Sequence, residues 1–199
     1  MGTFRPIRLP PADIALHELP TRSCELNVLR VHHVAIPAMK FRLSRKHRFS
    51  HPDAAVGLLY AGEDLETCLW ECYGDSILEP VSEISKADWS ARRLTRIVSS
   101  LPVKICDLAE LATRRKLRMD LSALKNPDLA IPQAWGHAIQ NHPDAADALR
   151  YPSRFTGKPC LALFDRPGLA GRCEETPLGA LHELEEAAGF LETNSIALV

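Results

Sequence analysis

Most signals of a familiar chemistry are missing from this sequence. No apolar run approaches the ~20 residues that a membrane-spanning helix needs. The N-terminus carries Arg5, Arg8 and several prolines but no hydrophobic region, which argues against a secretory signal. Charge of one sign is lacking too: 24 Lys and Arg against 25 Asp and Glu leave a formal net charge of -1. That excludes bulk electrostatic binding to nucleic acid or an anionic membrane. Glycine is sparse, and no Gly-x-x-x-x-Gly-Lys, Gly-x-Gly-x-x-Gly or Gly-x-Ser-x-Gly pattern occurs. The eight histidines contain no His-Glu-x-x-His. His47 and His51 are four residues apart, but Pro52 follows directly and breaks a helix there; His137 and His142 are five apart and share no helix face. No metal is therefore expected. The six cysteines form no Cys-x-x-Cys pair, and none has a histidine partner by spacing. They read as buried, reduced thiols of a cytoplasmic protein rather than as disulfides or nucleophiles.

What is present suits a globular domain. The 199 residues are 46% hydrophobic and 25% charged, enough for one domain with a real core. Charge is clustered along the chain. Lys40, Arg42, Arg45, Lys46 and Arg48 make a basic loop; Arg114, Arg115, Lys116 and Arg118 make a second cluster; Glu174, Glu175, Glu183, Glu185 and Glu186 make the tail acidic. Each reads as a solvated face, and the first is also placed to serve a phosphorylated ligand.

Residues 1–24 are proline-rich and read as an extended arm of a single domain, packed on that domain or on a partner. The β-branched run from Glu25 to Ile36 predicts a strand, with Arg30 among apolar neighbours. Val56 to Ala61 predicts a second, buried strand. Asp64 is a good N-cap for a helix with Leu65, Cys68, Leu69 and Cys72 on its buried stripe, Glu71 at the margin and Gly74 at its end. Arg92 to Val98 alternates as a strand, in competition with a helix from Asp88. Pro102 to Cys106 predicts another strand. Asp107 to Glu110 has capping-box form and predicts a helix to Leu117. Pro132 opens a helix that ends before Pro143. Ala148 to Tyr151 and Cys160 to Phe164 read as strands. Thr176-Pro177 starts the last helix, and Ser195 to Val199 forms a final edge strand. Strands and helices mix without regular alternation, so the fold class is α+β rather than a doubly wound sheet.

With metal and nucleophile set aside, the polar residues on separate elements remain: Arg30, Arg48, Tyr60, Glu71 and Ser153. Taken singly, Tyr60 is a core tyrosine, Ser153 a turn residue, Glu71 a boundary residue, and Arg30 the partner of some nearby carboxylate. Taken in order, Leu29-Arg30-Val31, Arg48-Phe49-Ser50, Leu59-Tyr60-Ala61, Glu71 and Tyr151-Pro152-Ser153 resemble the RES domain, a family named for its Arg, Glu and Ser. Cys160 to Asp165 is similar to its closing strand. The resemblance covers roughly Val28 to Asp165. His47 stands where the family commonly has Gly, and Leu69-Trp70 where small residues are common.

The resemblance implies a fold similar to that of ADP-ribosylating toxins, with two small β-sheets around an NAD cleft and flanking helices. It implies a toxin of a toxin–antitoxin pair that consumes NAD, held inactive by an antitoxin that is often Xre-like. It implies cleavage of the nicotinamide–ribose bond and transfer of ADP-ribose to a protein, phosphoribosyl-pyrophosphate synthetase being one known kind of target. Release of ADP-ribose to water or phosphate is the alternative, and a catalytically silent antitoxin- or nucleotide-binding module is the second. NAD is the only cofactor implied, as substrate, and the oligomeric state, homodimer included, stays open. Residue types suit these roles. Arg30 and Arg48 offer always-charged planar forks to a pyrophosphate. Glu71 answers the developing oxocarbenium charge. Tyr60 offers a ring and a hydroxyl to nicotinamide or ribose, and Ser153 a hydrogen bond to ribose or carboxamide. Glu71, Arg48 and Tyr60 are the catalytic candidates; Arg30, Arg48, Tyr60 and Ser153 are the NAD-binding ones.

Overall fold

The computed structural model describes residues 7–51, 53 and 55–199. Met1 to Pro6 of the N-terminal arm, and Pro52 with Ala54 in the turn after Arg48, lie outside the described residues. Among the described residues an eight-stranded sheet runs in the order β1 (Thr21–Cys24), β6 (Val103–Asp107), β7 (Ala148–Pro152), β8 (Pro159–Phe164), β3 (Leu58–Gly62), β2 (Asn27–His33), β5 (Arg92–Ser99), β9 (Cys173–Ala180). A second, two-stranded sheet pairs β10 (Ala197–Leu198) with β4 (Glu83–Ile84). The helices are α1 (Leu65–Ile77), α2 (Lys86–Ser90), α3 (Leu111–Leu117), α4 (Leu121–Lys125), α5 (Ala130–Gln140) and α6 (Glu185–Thr193). The fold is thus mixed α+β. Only β6 and β7 pair in parallel within the large sheet, and the chain from α3 through α5 makes that crossover.

The two small sheets expected around a cleft are, among the described residues, one eight-stranded sheet and one two-stranded sheet. The large sheet is hydrogen-bonded from end to end, yet it is nearly cut in two. β2 follows β5 through seven paired positions, and β3 follows β8 through five, while β2 meets β3 at one pair, Leu29 with Gly62. Beyond that pair the two strands splay apart. Arg42 takes the place of β2 beside β3 and exchanges both main-chain hydrogen bonds with Leu58, at 2.9 and 3.0 Å. The loop after β2 therefore runs through the gap.

Three apolar clusters flank the sheet. One joins Leu58, Leu149, Tyr151, Ala162 and Phe164 to Leu124, Trp135 and Ile139 of α4 and α5. A second packs Leu65, Cys68, Leu69 and Tyr73 of α1 and Phe190 of α6 against Val31 and Leu94. The third covers Leu59, Ala61, Ile97 and Leu163. The arm joins the first: Leu19 is buried, Arg8 accepts the Trp135 indole N–H at 3.0 Å, and β1 pairs with β6.

Several local expectations are corrected. Residues from Cys173 to Ala180 form β9, an edge strand on β5, instead of opening the last helix; Pro177 lacks an N–H but an edge strand tolerates that. The three-residue spacing of Leu178, Leu181 and Leu184 mimics a helix that begins only at Glu185. Asp107 does not cap α3. Its buried carboxylate pairs with Arg22 and Arg150 instead, at 2.9 and 3.0 Å. Asp64 does cap α1, accepting the Thr67 N–H at 2.7 Å. Cys72 is exposed, although the other three residues of its expected stripe are buried. Gly74 does not end α1, which continues to Ile77; it is buried because the Phe155 ring lies flat against it.

A methyl group on Gly74 would meet Phe155 ring atoms at 2.5 Å. Gly74→Ala is expected to lower the free energy of unfolding by about 1–3 kcal/mol through overpacking. Chemical denaturation checks this, and an unchanged midpoint would contradict the packing described.

Candidate active site

The splay between β2 and β3 opens a cleft of about 630 Å³, within the range of roughly 300–1,000 Å³ common for small-molecule sites. Its floor is the separated strands, one wall is α1, and the basic loop before Arg48 forms the opposite rim. Arg30, Arg48, Tyr60 and Glu71 all line it.

Arg30 sits on β2 just past the pivot pair, only 8% exposed. A buried arginine ordinarily finds a carboxylate. Here Nη1 donates to the carbonyls of Ala38 and, at 3.2 Å, Lys40, in the loop that fills the splay. Arg48 behaves alike: Nη1 donates to the carbonyls of Leu124 and, at 3.3 Å, Asn126, at the end of α4. Its main chain is fixed from behind by Gly136 of α5, where a methyl group would come within 2.7 Å of the Phe49 carbonyl oxygen. Neither guanidinium pairs with a carboxylate among the described residues. Carbonyl dipoles orient both forks without neutralising them. Burial pulls the Arg30 guanidinium down to about 10, with Arg42 adding to the effect, and lowers Arg48 for the same first reason. Both remain cations at neutral pH.

Tyr60 projects from β3, its hydroxyl accepting the Phe49 N–H at 3.1 Å. The phenol holds the backbone next to Arg48 in place, and burial pushes its pKa upward, so the hydroxyl stays protonated. Glu71 lies on α1 facing the gap. Ser153, on the turn after β7, donates its hydroxyl proton to Glu71 Oε1 at 2.6 Å. The Ser153 hydroxyl oxygen itself accepts the N–H groups of Phe155 and Thr156 at 3.1 and 3.3 Å. A hydroxyl has one proton and two lone pairs. All three are used, and Ser153 is fully buried. Ser153 is therefore placed to hold Glu71 and has no capacity left for the hydrogen bond to ribose or carboxamide expected of it.

Other lining residues were not assigned roles from sequence. Tyr151 is 2% exposed and packs edge-on against Phe49 at 4.6 Å and Tyr60 at 6.5 Å. Arg154 pairs with Asp75 at the mouth and lies over the Phe155 ring at 4.3 Å. His47 stands beside Tyr60, ring centroids 5.6 Å apart, its pKa lowered by burial. Only Tyr151 had a signal, its place beside Pro152-Ser153. The carbonyls that orient the arginines have none, because main-chain acceptors are independent of side-chain identity. Cys72 also opens into the cleft, yet protein atoms wall its sulfur and push the thiol up to about 11. It stays a protonated thiol. No cluster of three or more metal-ligating side chains occurs among the described residues. No described helix is long and apolar enough to cross a membrane.

Glu71 is accessible from the cleft, but the walls limit how much water can solvate its carboxylate. That crowding raises its pKa above the ordinary 4.5; the Ser153 hydrogen bond and then the charges of Arg48 and Arg154 pull the other way. A raised folded-state pKa means the folded protein binds more protons than the unfolded chain between 4.5 and that value. Ionising Glu71 therefore costs stability as pH rises through that window. Glu71→Gln removes the cost. The variant should unfold at a higher denaturant midpoint than wild type at pH 7, with the gap closing below pH 4.5. A midpoint equal to or below wild type at pH 7 would show that the carboxylate is not under this strain.

The sequence matches the RES domain over residues 27–182. No curated protein matches it. Among solved structures, a chain of the M. tuberculosis MbcT–MbcA toxin–antitoxin complex has a similar fold, with a TM-score of 0.64 at 17% sequence identity over 88% of this chain and 92% of that one. The matched span contains β2, the splayed gap, α1 and the turn carrying Ser153, so the cleft is built from the family's own segment. The chain belongs to the RES domain family.

Proposed function

We propose that this protein is an NAD-consuming toxin of a toxin–antitoxin pair, which breaks the nicotinamide–ribose bond and passes ADP-ribose to a protein acceptor. One observation carries the reading: two guanidiniums, Arg30 buried and Arg48 half-buried, neither paired with a carboxylate among the described residues, share a cleft with a carboxylate held by a dedicated hydrogen bond. Unneutralised arginines select an anion, and a planar fork with its remaining N–H groups suits a pyrophosphate. NAD supplies that pyrophosphate between two riboses. Arg30 and Arg48 would hold it, and Tyr60 and Tyr151 supply aromatic surface for ribose or nicotinamide.

The bond broken is ribose C1′ to the nicotinamide nitrogen. Its electron pair goes to the ring, which leaves neutral. The positive charge passes to the ribose as an oxocarbenium ion, which a carboxylate stabilises more than it stabilises the ground state. Glu71 takes this role. A nucleophilic oxygen or nitrogen of the acceptor then forms the new bond to C1′ and loses its proton. Ser153 acts by orienting Glu71 and by favouring its ionised form.

Arg42 and Lys46 of the basic loop line the rim of the cleft, which favours an acidic acceptor surface. Phosphoribosyl-pyrophosphate synthetase is one candidate acceptor. Hydrolysis or phosphorolysis of NAD is the second reading, favoured by the openness of Glu71 to solvent. The toxin–antitoxin role rests on the family and on the complex in which the similar fold occurs. The proposed partner is an antitoxin of the Xre-like kind, and the proposed compartment is the cytoplasm, which the free cysteines support.

Purified protein incubated with NAD is expected to release nicotinamide, with Glu71→Gln slower by at least about 100-fold, the scale of losing one transition-state charge contact. Absence of release, or an unaffected Gln variant, would sink the mechanism. NAD labelled on its adenylate, added to a cell lysate, separates the acceptors. A labelled protein band supports transfer, and free labelled ADP-ribose without a band supports hydrolysis.

A further inference from the structure

Two side-chain rungs tie α1 to the turn after β7. The inner rung is Glu71 with Ser153, buried on the Ser side. The outer rung is Asp75 with Arg154. The acids are four residues apart, hence neighbours on one helix face. Their partners are consecutive in sequence. Arg154 therefore directly follows the Ser153 that holds Glu71, and both arginine and glutamate line the same cleft. A guanidinium free to choose between two carboxylates on one helix face would chelate the inner one, where less water competes. Asp75 intercepts it. The Asp75 side chain is 82% exposed, so the pair gains little for stability, as exposed ion pairs generally do.

We propose that Asp75 is a positioning residue: by holding Arg154 at the mouth of the cleft, it keeps that guanidinium off Glu71 and leaves the carboxylate open to the substrate. This rests on the assignment of Glu71 as the catalytic carboxylate. If Arg154 were to close onto Glu71, the anion would be neutralised and its oxygens occupied. The carboxylate would then answer a developing positive charge poorly. Burial and then the Ser153 hydrogen bond set its protonation first, followed by the cations Arg48 and Arg154 and the anion Asp75; the neutral Tyr60, Tyr151, Cys68, Cys72 and Cys160 are the other titratable groups near it. Removing Asp75 takes away a neighbouring negative charge and releases Arg154, and both changes lower the Glu71 pKa.

The test uses the full chain with three variants: Asp75→Asn, Arg154→Ala and the double variant. Two quantities are read, nicotinamide release from NAD and the Glu71 carboxyl titration by carbon-13 NMR. Asp75→Asn is expected to slow release by about tenfold, the scale of a displaced reacting group, and to move the Glu71 titration to lower pH. Arg154→Ala is expected to keep release within about twofold of wild type. The double variant should regain release and titrate above Asp75→Asn. A merely structural pair would make both single variants equal in nicotinamide release, and Asp75→Asn would move the Glu71 titration no further with Arg154 present than in the Arg154→Ala background; that result would overturn the proposal. Greater damage from Arg154→Ala than from Asp75→Asn would overturn it too, by making Arg154 a substrate contact. If wild type releases no nicotinamide, the reading of Glu71 falls, while the titrations still decide whether Asp75 diverts Arg154.

Discussion

Arg30 fills the point where β2 and β3 part, and its guanidinium meets main-chain carbonyls rather than a carboxylate. A charge placed there is costly to bury. The fold accepts the cost by spending loop carbonyls on one nitrogen and leaving the rest of the fork open to the cleft. The loop held in this way takes over the abandoned edge of β3 through Arg42, keeping the gap open at its wide end. Arg48 repeats the device with the end of α4. The two sites together put into the cleft two cations that pair with no carboxylate among the described residues, which suits an anionic ligand.

Glu71 adds a negative group to that cleft without cancelling the two cations. Its environment works in opposition: crowding favours the neutral acid, while Ser153 and the nearby arginines favour the anion. The hydroxyl of Ser153 is fixed by two N–H groups of its own turn, so its proton has one direction to point. The carboxylate is thereby oriented before any ligand arrives, and preorganised charge of this kind is what transition-state stabilisation requires. Such sites are commonly held at the expense of stability.

Much of this was legible in the sequence. Alternation, β-branching and short apolar runs located β2, β3, β5, β6, β7 and β8 to within a few residues, and the Asp64 cap located α1. The ordered set Arg30, Arg48, Tyr60 and Glu71 is gathered in one cleft. Three things were not legible. The near-cut in the sheet depends on long-range pairing, since β2 and β3 are strands whose sequences do not reveal how many residues they share. β9 carries Thr176-Pro177, and helix-opening chemistry at an edge strand misleads because the edge forgives a proline. The role of Ser153 depends on which acceptors its turn provides, and that is settled by backbone geometry rather than by residue type. Gly74 shows the same limit: a glycine inside a helix reads as a stop until the Phe155 ring that covers it is known.

The central claim is that unneutralised arginines make this cleft a diphosphate site. It is tested most directly by calorimetric titration of the Glu71→Gln protein, which can bind without turnover, with NAD and with nicotinamide riboside. The riboside keeps the scissile bond and lacks the pyrophosphate. The account predicts that NAD binds at least about 100-fold more tightly, since charge-assisted hydrogen bonds from two guanidiniums contribute roughly 1.5–3 kcal/mol each. Equal affinity for the two ligands would contradict it.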